Sequence, residues 1–240
     1  MSDERKQPTV IILKIGGSSL TVKSQLETLN ESILNWFTST VSTAVATRYH
    51  QYVIIHGAGS FGHFHAKKYH LRSIDDVLLE QRKQQQQQQT PSETAPVDDN
   101  TRLLAEGISL TRRSVQKLHS HLLTSLSSAA PATVPAIGIS PASHTRESLQ
   151  NHVTDCRRAG LTPVIHGDVY LNPVGILGGD RIAAWLATGE EEVTRRRWRV
   201  VFLTDVEGVF TADPKLDEGA ELLRSIEVGE EEEEDGGCSC

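Results

Sequence analysis

The sequence predicts an α/β fold of three layers, with helices over both faces of a mostly parallel central sheet. Short β-branched, apolar runs alternate with helix-period segments along most of the chain. Three junctions run through glycines into a helix start, at Gly16-Gly17, Gly57-Ala58-Gly59 and Gly178-Gly179. In an open parallel sheet such turns lie at the carboxyl ends of strands, the edge along which ligands collect. A chain of 240 residues is long enough for one large core or two small lobes.

The first predicted strand is Thr9 to Ile15, interrupted near its end by Lys14. A lysine among aliphatic neighbours is costly without an anion to meet it, although one at a strand end can also reach water. Gly16-Gly17-Ser18-Ser19 follows, then Lys23, then a helix predicted from about Ser24 to Arg48. The lysine precedes the glycines and Gly-Lys-Ser/Thr is absent, so this is not a Walker A loop. The two glycines would still expose backbone donors to a phosphate, with Lys14 and Lys23 on either side.

Tyr52 to His56 is the second strand, followed by Gly57, Gly59 and Gly62. Ser60 is predicted to cap a helix running through Phe61, His63, Ala66, Lys67 and Tyr69 to about Leu71, with Lys67 and His70 on the His63 face. A strand that opens through glycines onto a helix start makes an anion pocket. Gly57-x-Gly59-x-x-Gly62 also fits the dinucleotide fingerprint, but it follows a later strand than that motif requires. Asp75 and Asp76, at about the right distance for a ribose contact, sit in a predicted helix start. An oxidoreductase is therefore the runner-up here.

Arg82 to Asn100 is a low-complexity stretch with six consecutive glutamines, Gln84 to Gln89, and residues 83–100 are expected to be a disordered insertion. Thr101 to Leu126 reads as a helix with apolar positions Leu103, Leu104, Ile108, Val115, Leu118 and Leu122. Val134 to Ile139 reads as a strand, and Thr145 to Arg158 as a helix stopped by Gly160. Thr162 to Val169 is a strand leading through Gly167 and Asp168, and Tyr170 to Ile176 a hairpin turning at Asn172-Pro173. Asp180 opens the third glycine-to-helix junction, either as an N-cap or as a carboxylate holding Lys14 by a charge-assisted hydrogen bond. Trp198 to Leu203 is the last clear strand, running into Thr204, Asp205 and Gly208. The folded domain is expected over residues 9–228, with an acidic disordered tail over 229–240.

Of the formal charge of −7, Glu230 to Glu234 and Asp235 supply six units, so the body is near neutral. That excludes a nucleic-acid surface. No apolar run approaches the roughly 18 residues that span a bilayer. The charged start, Met1 to Lys6, does not read as a signal peptide, and a cytoplasmic location is expected. The three cysteines, Cys156, Cys238 and Cys240, have neither disulfide nor zinc spacing. The terminal Cys-Ser-Cys is similar to the prenylated end of some small GTPases, a modification that normally needs the GTPase body as well.

Taken together, Leu13-Lys-Ile-Gly-Gly-Ser18 with Lys23, His56-Gly-Ala-Gly-Ser-Phe-Gly-His63, Pro163-Val-Ile-His-Gly-Asp168, Gly178-Gly-Asp180 and Leu203-Thr-Asp-Val-Glu-Gly208 resemble the amino acid kinase superfamily. Within it they resemble the isopentenyl phosphate kinase family, and Gly-Ser-Phe-Gly-His is the segment that points to that acceptor. The resemblance covers about Thr9 to Lys215. It implies the amino acid kinase fold and transfer of a phosphoryl group from ATP to isopentenyl phosphate, with Mg²⁺ bound through ATP and no metal held by protein ligands. It implies that Lys14, Gly16, Gly17 and Ser18 hold the ATP phosphates and that Lys23 stabilises the transferring group. Gly57, Ala58 and Gly59 lie where the two substrates meet, Asp168 borders the acceptor, and His63 bonds the acceptor phosphate. Asp180 orients the lysines; Thr204, Asp205 and Gly208 border the nucleotide, and Lys215 approaches its phosphates. A homodimer is expected on the same basis. Family members usually continue past the Asp-Pro-Lys region with further strands. Here Glu221 to Glu227 runs into the acidic stretch, so the C-terminal strands and part of the nucleotide wall are expected to be missing. A catalytically silent nucleotide-binding protein of this fold, or a kinase of another small phosphate or carboxylate, are the alternatives.

Overall fold

The computed structural model describes residues 9–85, 98–188, 198–204, 207–212, 214 and 216–226. They fall into two compact units, Met1–Asp205 and Val206–Cys240. The strands of the first unit are β1 (Val10–Ile15), β2 (Gln51–His56), β3 (Ala136–Ile139), β4 (Thr162–His166), β5 (Asp168–Leu171), β6 (Val174–Leu177) and β7 (Trp198–Leu203). Its helices are α1 (Gly17–Leu20), α2 (Glu31–Ala46), α3 (His63–Lys68), α4 (Ile74–Gln85), α5 (Asp99–Ser127), α6 (Arg146–Arg158) and α7 (Gly179–Ala187). Five strands form one sheet in the order β3-β4-β2-β1-β7, with every pair parallel. β5 and β6 make a separate antiparallel hairpin.

Strand alternation sorts the core into two layers. Val10, Ile12, Val53, Ile55 and Ile165 pack against α6 and α7 through Leu149, Val153, Ile182 and Leu186. Ile15, Ile54 and Val164 point the other way, against Leu34, Phe37 and Val41 of α2 and Leu122 and Leu126 of α5. Both faces are therefore covered, as a parallel sheet requires, and each fully buried aliphatic or Phe side chain contributes roughly 1.5–3 kcal/mol. The connection into β2 packs on one face and that into β7 on the other, so β1 stands at the switch point where ligands bind in such sheets.

Several local expectations give way to tertiary structure. α2 starts at Glu31 rather than near Ser24, because Asn30 caps it by accepting from the Ile33 N–H. The preceding residues fold back instead, with Thr21 and Leu29 bridged antiparallel and Glu27 at φ 49°. Ser60 caps no helix: Gly59–Phe61 is a 3-10 turn, and the Ser60 N–H donates to Thr21 Oγ1. α3 ends at Lys68, and His70, at φ 53°, has left the helix and does not share the His63 face. Leu103 and Leu104 are exposed (54% and 39%) because the first turns of α5 lie beyond the core. Helices take the edges of the expected insertion, α4 through Gln85 and α5 from Asp99, capped by Asp98. Residues 86–97 and the expected tail lie outside the described residues.

In the second unit Phe210 and Leu222 are bridged antiparallel, and Thr211 and Leu223 N–H groups donate across to Glu221 and Val209. No helix among the described residues is long and apolar enough to cross a membrane.

Candidate active site

The turns after β1 and β2 touch, backbone to backbone. A Cβ on Gly17 would lie 2.1 Å from the Gly59 nitrogen and 2.6 Å from the Gly57 carbonyl carbon. Gly59 adopts φ +51°, and a Cβ there would meet Gly17 O and Thr21 Oγ1 at 2.3 Å each. Only glycine permits this approach. Thr21 fastens the contact by donating to Gly17 O at 2.8 Å and accepting from Ser60 N–H at 2.9 Å. Gly16 N–H donates to Leu203 O at 3.1 Å, which puts the exposed Thr204 beside the first turn.

Period-two geometry puts Lys14 on the same face as Val10 and Ile12, the face covered by α7. Its side chain, 16% exposed, crosses the start of that helix: Cε would lie 3.5 Å from a Cβ on Gly179. Nζ reaches Asp180 Oδ1 at 2.9 Å and stands 5.7 Å from the Phe202 ring centroid. Asp180 is not the N-cap; Gly178 is, and Asp180 occupies the first turn. The expected link between Asp180 and Lys14 is present. Lys23 is exposed in the turn after Thr21, and Ser18 is half-buried in α1.

A cavity of about 450 Å³ opens beside these turns. Gly57, Ala58, Gly59, His63, Lys67, Thr111, Gly178 and Gly179 line it together with the apolar Ala66, Leu71, Val115, Val169, Ile176 and Leu177. His63 is exposed on α3, and its Nδ1 lies 2.7 Å from Gly59 O. A carbonyl only accepts, so Nδ1 carries the proton and Nε2 is left for a ligand. Gly178 and Gly179 bring the start of α7, with its outward N–H groups, to the same cavity.

Asp168 also lines the cavity, but its carboxylate, with 0% side-chain exposure, is already engaged. Arg112 Nε donates to both oxygens at 3.2 and 3.3 Å, Ser140 Oγ donates at 2.8 Å, and Val169 N–H donates at 2.8 Å. It holds the wall together rather than offering a free oxygen to a ligand. Arg112 and Ser140 carry no motif signal and were not expected.

Behind the same wall sits a histidine cluster that also went unanticipated. His56, His119 and His166 are all buried, with ring centroids 4.6 to 6.0 Å apart. His56 Nε2 lies 3.0 Å from His119 Nδ1. Burial first, then the other two rings, holds His56 well below the ordinary histidine range; burial and His166 bring His119 down to about 3; burial also lowers His166. All three are therefore neutral at physiological pH. The available sequence signal is parity: His56 and His166 share the α5-facing side with Ile54 and Val164, and they are register partners.

Of the remaining expected residues, Gly208 belongs to the second unit, and Asp205 and Lys215 lie outside the described residues.

Comparison with known proteins agrees with this arrangement. A chain from Arabidopsis thaliana described as isopentenyl phosphate kinase is 27% identical over 277 residues, covering 96% of this chain and 74% of that one. One of the same description from Methanothermobacter thermautotrophicus is 28% identical over 233 residues, covering 90% and 75%. A crystal structure of an isopentenyl phosphate kinase substrate complex superposes with a TM-score of 0.66 at 26% identity, over 89% of this chain and 78% of that one. A Thermoplasma acidophilum isopentenyl phosphate kinase product complex gives 0.67 at 26%, over 91% and 80%. The model of the amino acid kinase family matches residues 9–238, which takes in the parallel sheet and all three glycine junctions, and the chain belongs to that family.

Proposed function

We propose that this protein transfers the γ-phosphoryl group of ATP to isopentenyl phosphate, giving isopentenyl diphosphate. The observation that carries the reading is the cavity beside the touching glycine turns, where His63 and the start of α7 share the lining with aliphatic side chains. A short alkyl monophosphate has that mixed character. The relatives described as isopentenyl phosphate kinases support the same acceptor.

The chemistry needs little from the protein beyond placement and charge. The nucleophile is a phosphate oxygen whose second pKa is about 6, already ionised near neutral pH. No general base is required. The transferring group spreads charge over three oxygens, and the site must hold donor and acceptor in line while neutralising it. On this reading Lys14, fixed by Asp180, meets the phosphates between the substrates, and Lys23 approaches from the opposite side of its loop. Gly16, Gly17, Ser18 and Gly59 supply backbone donors to ATP, and Thr204, Asp205, Gly208 and Lys215 are assigned to the nucleotide by the family resemblance alone. His63 hydrogen-bonds the acceptor phosphate through Nε2. Gly57 and Ala58 line the same cavity, and Asp168 keeps its wall in shape. Among the described residues the donors at the two turns are Lys14, Lys23, backbone N–H groups and the exposed Asp180 carboxylate, a set that fits Mg²⁺ carried by the ATP phosphates rather than caged by the protein. When bound, that ion neutralises triphosphate charge. A homodimer belongs to the same reading and is checked by light scattering.

A coupled ADP-release assay with isopentenyl phosphate tests it. Acceptor-dependent turnover is expected; ATP binding without turnover would favour a catalytically silent nucleotide-binding protein.

A further inference from the structure

We infer that His119 is a positioning residue for the acceptor turn: through His56 it fixes the Gly57–Ala58 peptide so that the Ala58 N–H faces the acceptor cavity. The inference rests on the proposed function for its consequence, but its geometry stands apart. His56 Nδ1 lies 3.0 Å from Gly57 O. A carbonyl oxygen only accepts, so Nδ1 carries the proton and Nε2 is bare. The atom that meets Nε2, at 3.0 Å, is His119 Nδ1, which must therefore donate. His119 Nε2 is then bare as well, and it is buried without a partner. The protons run one way, from α5 through β2 to the Gly57 carbonyl.

A trans peptide is planar, with its C=O and N–H pointing in opposite directions. Drawing the Gly57 oxygen toward the buried imidazole therefore turns the Ala58 N–H away from it, and Ala58 lines the cavity. The β4 junction repeats the device: His166 Nδ1 lies 3.2 Å from Gly167 O, and Asp168 follows on the same cavity wall. Room for the His119 ring exists because β3 carries Gly138, where a Cβ would come within 2.4 Å of His119 Nε2. The groups facing His119 are His56 from β2 and His166 from β4; beyond His166 stand Asp168 of β5 and Arg112 of α5. A proton added to His119 or His56 would place a charge in this enclosed cluster and disturb the donor chain. The arrangement works only with neutral rings.

The test uses the full chain, labelled with ¹⁵N-histidine, together with His119→Phe and His119→Asn. Phe keeps the ring volume and removes the donor; the Asn amide nitrogen can stand in for Nδ1–H. In the wild type, His56 is expected to carry its proton on Nδ1 and to accept at Nε2; in His119→Phe the proton stays on Nδ1, where Gly57 O holds it, and the Nε2 resonance moves to that of a ring nitrogen with no donor. With isopentenyl phosphate, kcat/KM of the Phe variant should fall by about 100-fold, the order seen when a catalytic group is slightly misplaced, with ATP affinity unchanged and Asn recovering most of the loss. A wild-type His56 protonated on Nε2, an Nε2 resonance unmoved by His119→Phe, or a loss shared equally by ATP affinity would overturn the inference. If the wild type binds ATP but turns over no isopentenyl phosphate, the functional reading fails, while the Nε2 resonance still decides whether His119 donates to His56.

Discussion

Lys14→Met separates the catalytic role proposed for this lysine from its structural one. Met matches the length and apolar character of the Lys stem, so packing against Gly179 survives. What disappears is the Nζ charge, 2.9 Å from Asp180 Oδ1. The Asp180 side chain is 73% exposed, so the carboxylate left behind remains in water rather than stranded in the core. Such a pair contributes only about 0–1 kcal/mol to folding, which in a chain of this size shifts Tm by no more than about 2–4 °C. The catalytic cost is of another order. Removing one donor aimed at developing charge lowers kcat by about 10²–10³, or roughly 2.7–4 kcal/mol. The expected result is a variant that melts almost normally and barely turns over in the coupled ADP-release assay. A near-normal kcat would refute the reasoning, and so would an activity loss that merely tracks the loss of folded protein.

His63→Ala should weaken acceptor binding by about 10- to 100-fold, since a hydrogen bond to a charged group is worth about 1.5–3 kcal/mol, and leave ATP binding intact; equal losses, read by calorimetry for each substrate, would remove His63 from the acceptor site. Gly17→Ala drives a Cβ to 2.1 Å from the Gly59 nitrogen, so it should destabilise by about 1–3 kcal/mol and raise KM for both substrates, because both turns must move. The histidine cluster makes stability pH-dependent: His119, at about 3 in the folded chain against 6.5 ordinarily, takes up its proton more readily when unfolded. Its stabilisation is complete above pH 6.5 and drains away toward pH 3, costing about 2 kcal/mol by pH 5; urea midpoints at pH 7 and 5 should show this, and His119→Phe should flatten it. Arg112→Met strands the fully buried Asp168 carboxylate and should cost about 3–5 kcal/mol, whereas Asp168→Asn leaves a guanidinium that is 28% exposed and can hydrate, so it should cost less by urea titration.

The strands were legible because each is decided by its own few residues. Trp198 to Leu203 is predicted and observed over the same span, and the β5–β6 hairpin turns at Asn172-Pro173 as its residues imply. Where boundaries slipped, a contact from far along the chain decided the matter. Nothing local stops a helix at Ser24, but Glu27 N–H donates to Ser60 O and Val22 N–H to Thr28 O, and those bonds hold the segment as a loop. The Lys14 contact was readable for the same local reason: Lys14 is the one charge in its strand, and strand parity with Ile12 sends it to α7 and Asp180. The polar wall of the cavity was not, because its determinants are single polar residues spread over α5, β2, β4 and β5.

Those residues explain why α5 breaks its own hydrophobic pattern. A helix that only covered a sheet would carry aliphatic side chains along one stripe. The inner face of α5 does so at Val115, Leu118, Leu122 and Leu126, yet Arg112 and His119 also turn inward. They are seven residues apart, two turns, and so lie on one side of the helix. That spacing matches the neighbouring ends of β2 and β4, where His56 and His166 are paired in register and Asp168 follows. Burying a guanidinium or an imidazole is costly unless it meets a partner. Sliding α5 along the sheet by one residue would remove both partners at once, whereas its leucines would tolerate the slip. The apolar residues thus hold α5 on the sheet, and the two polar ones fix its register against the glycine turns that form the floor of the cavity.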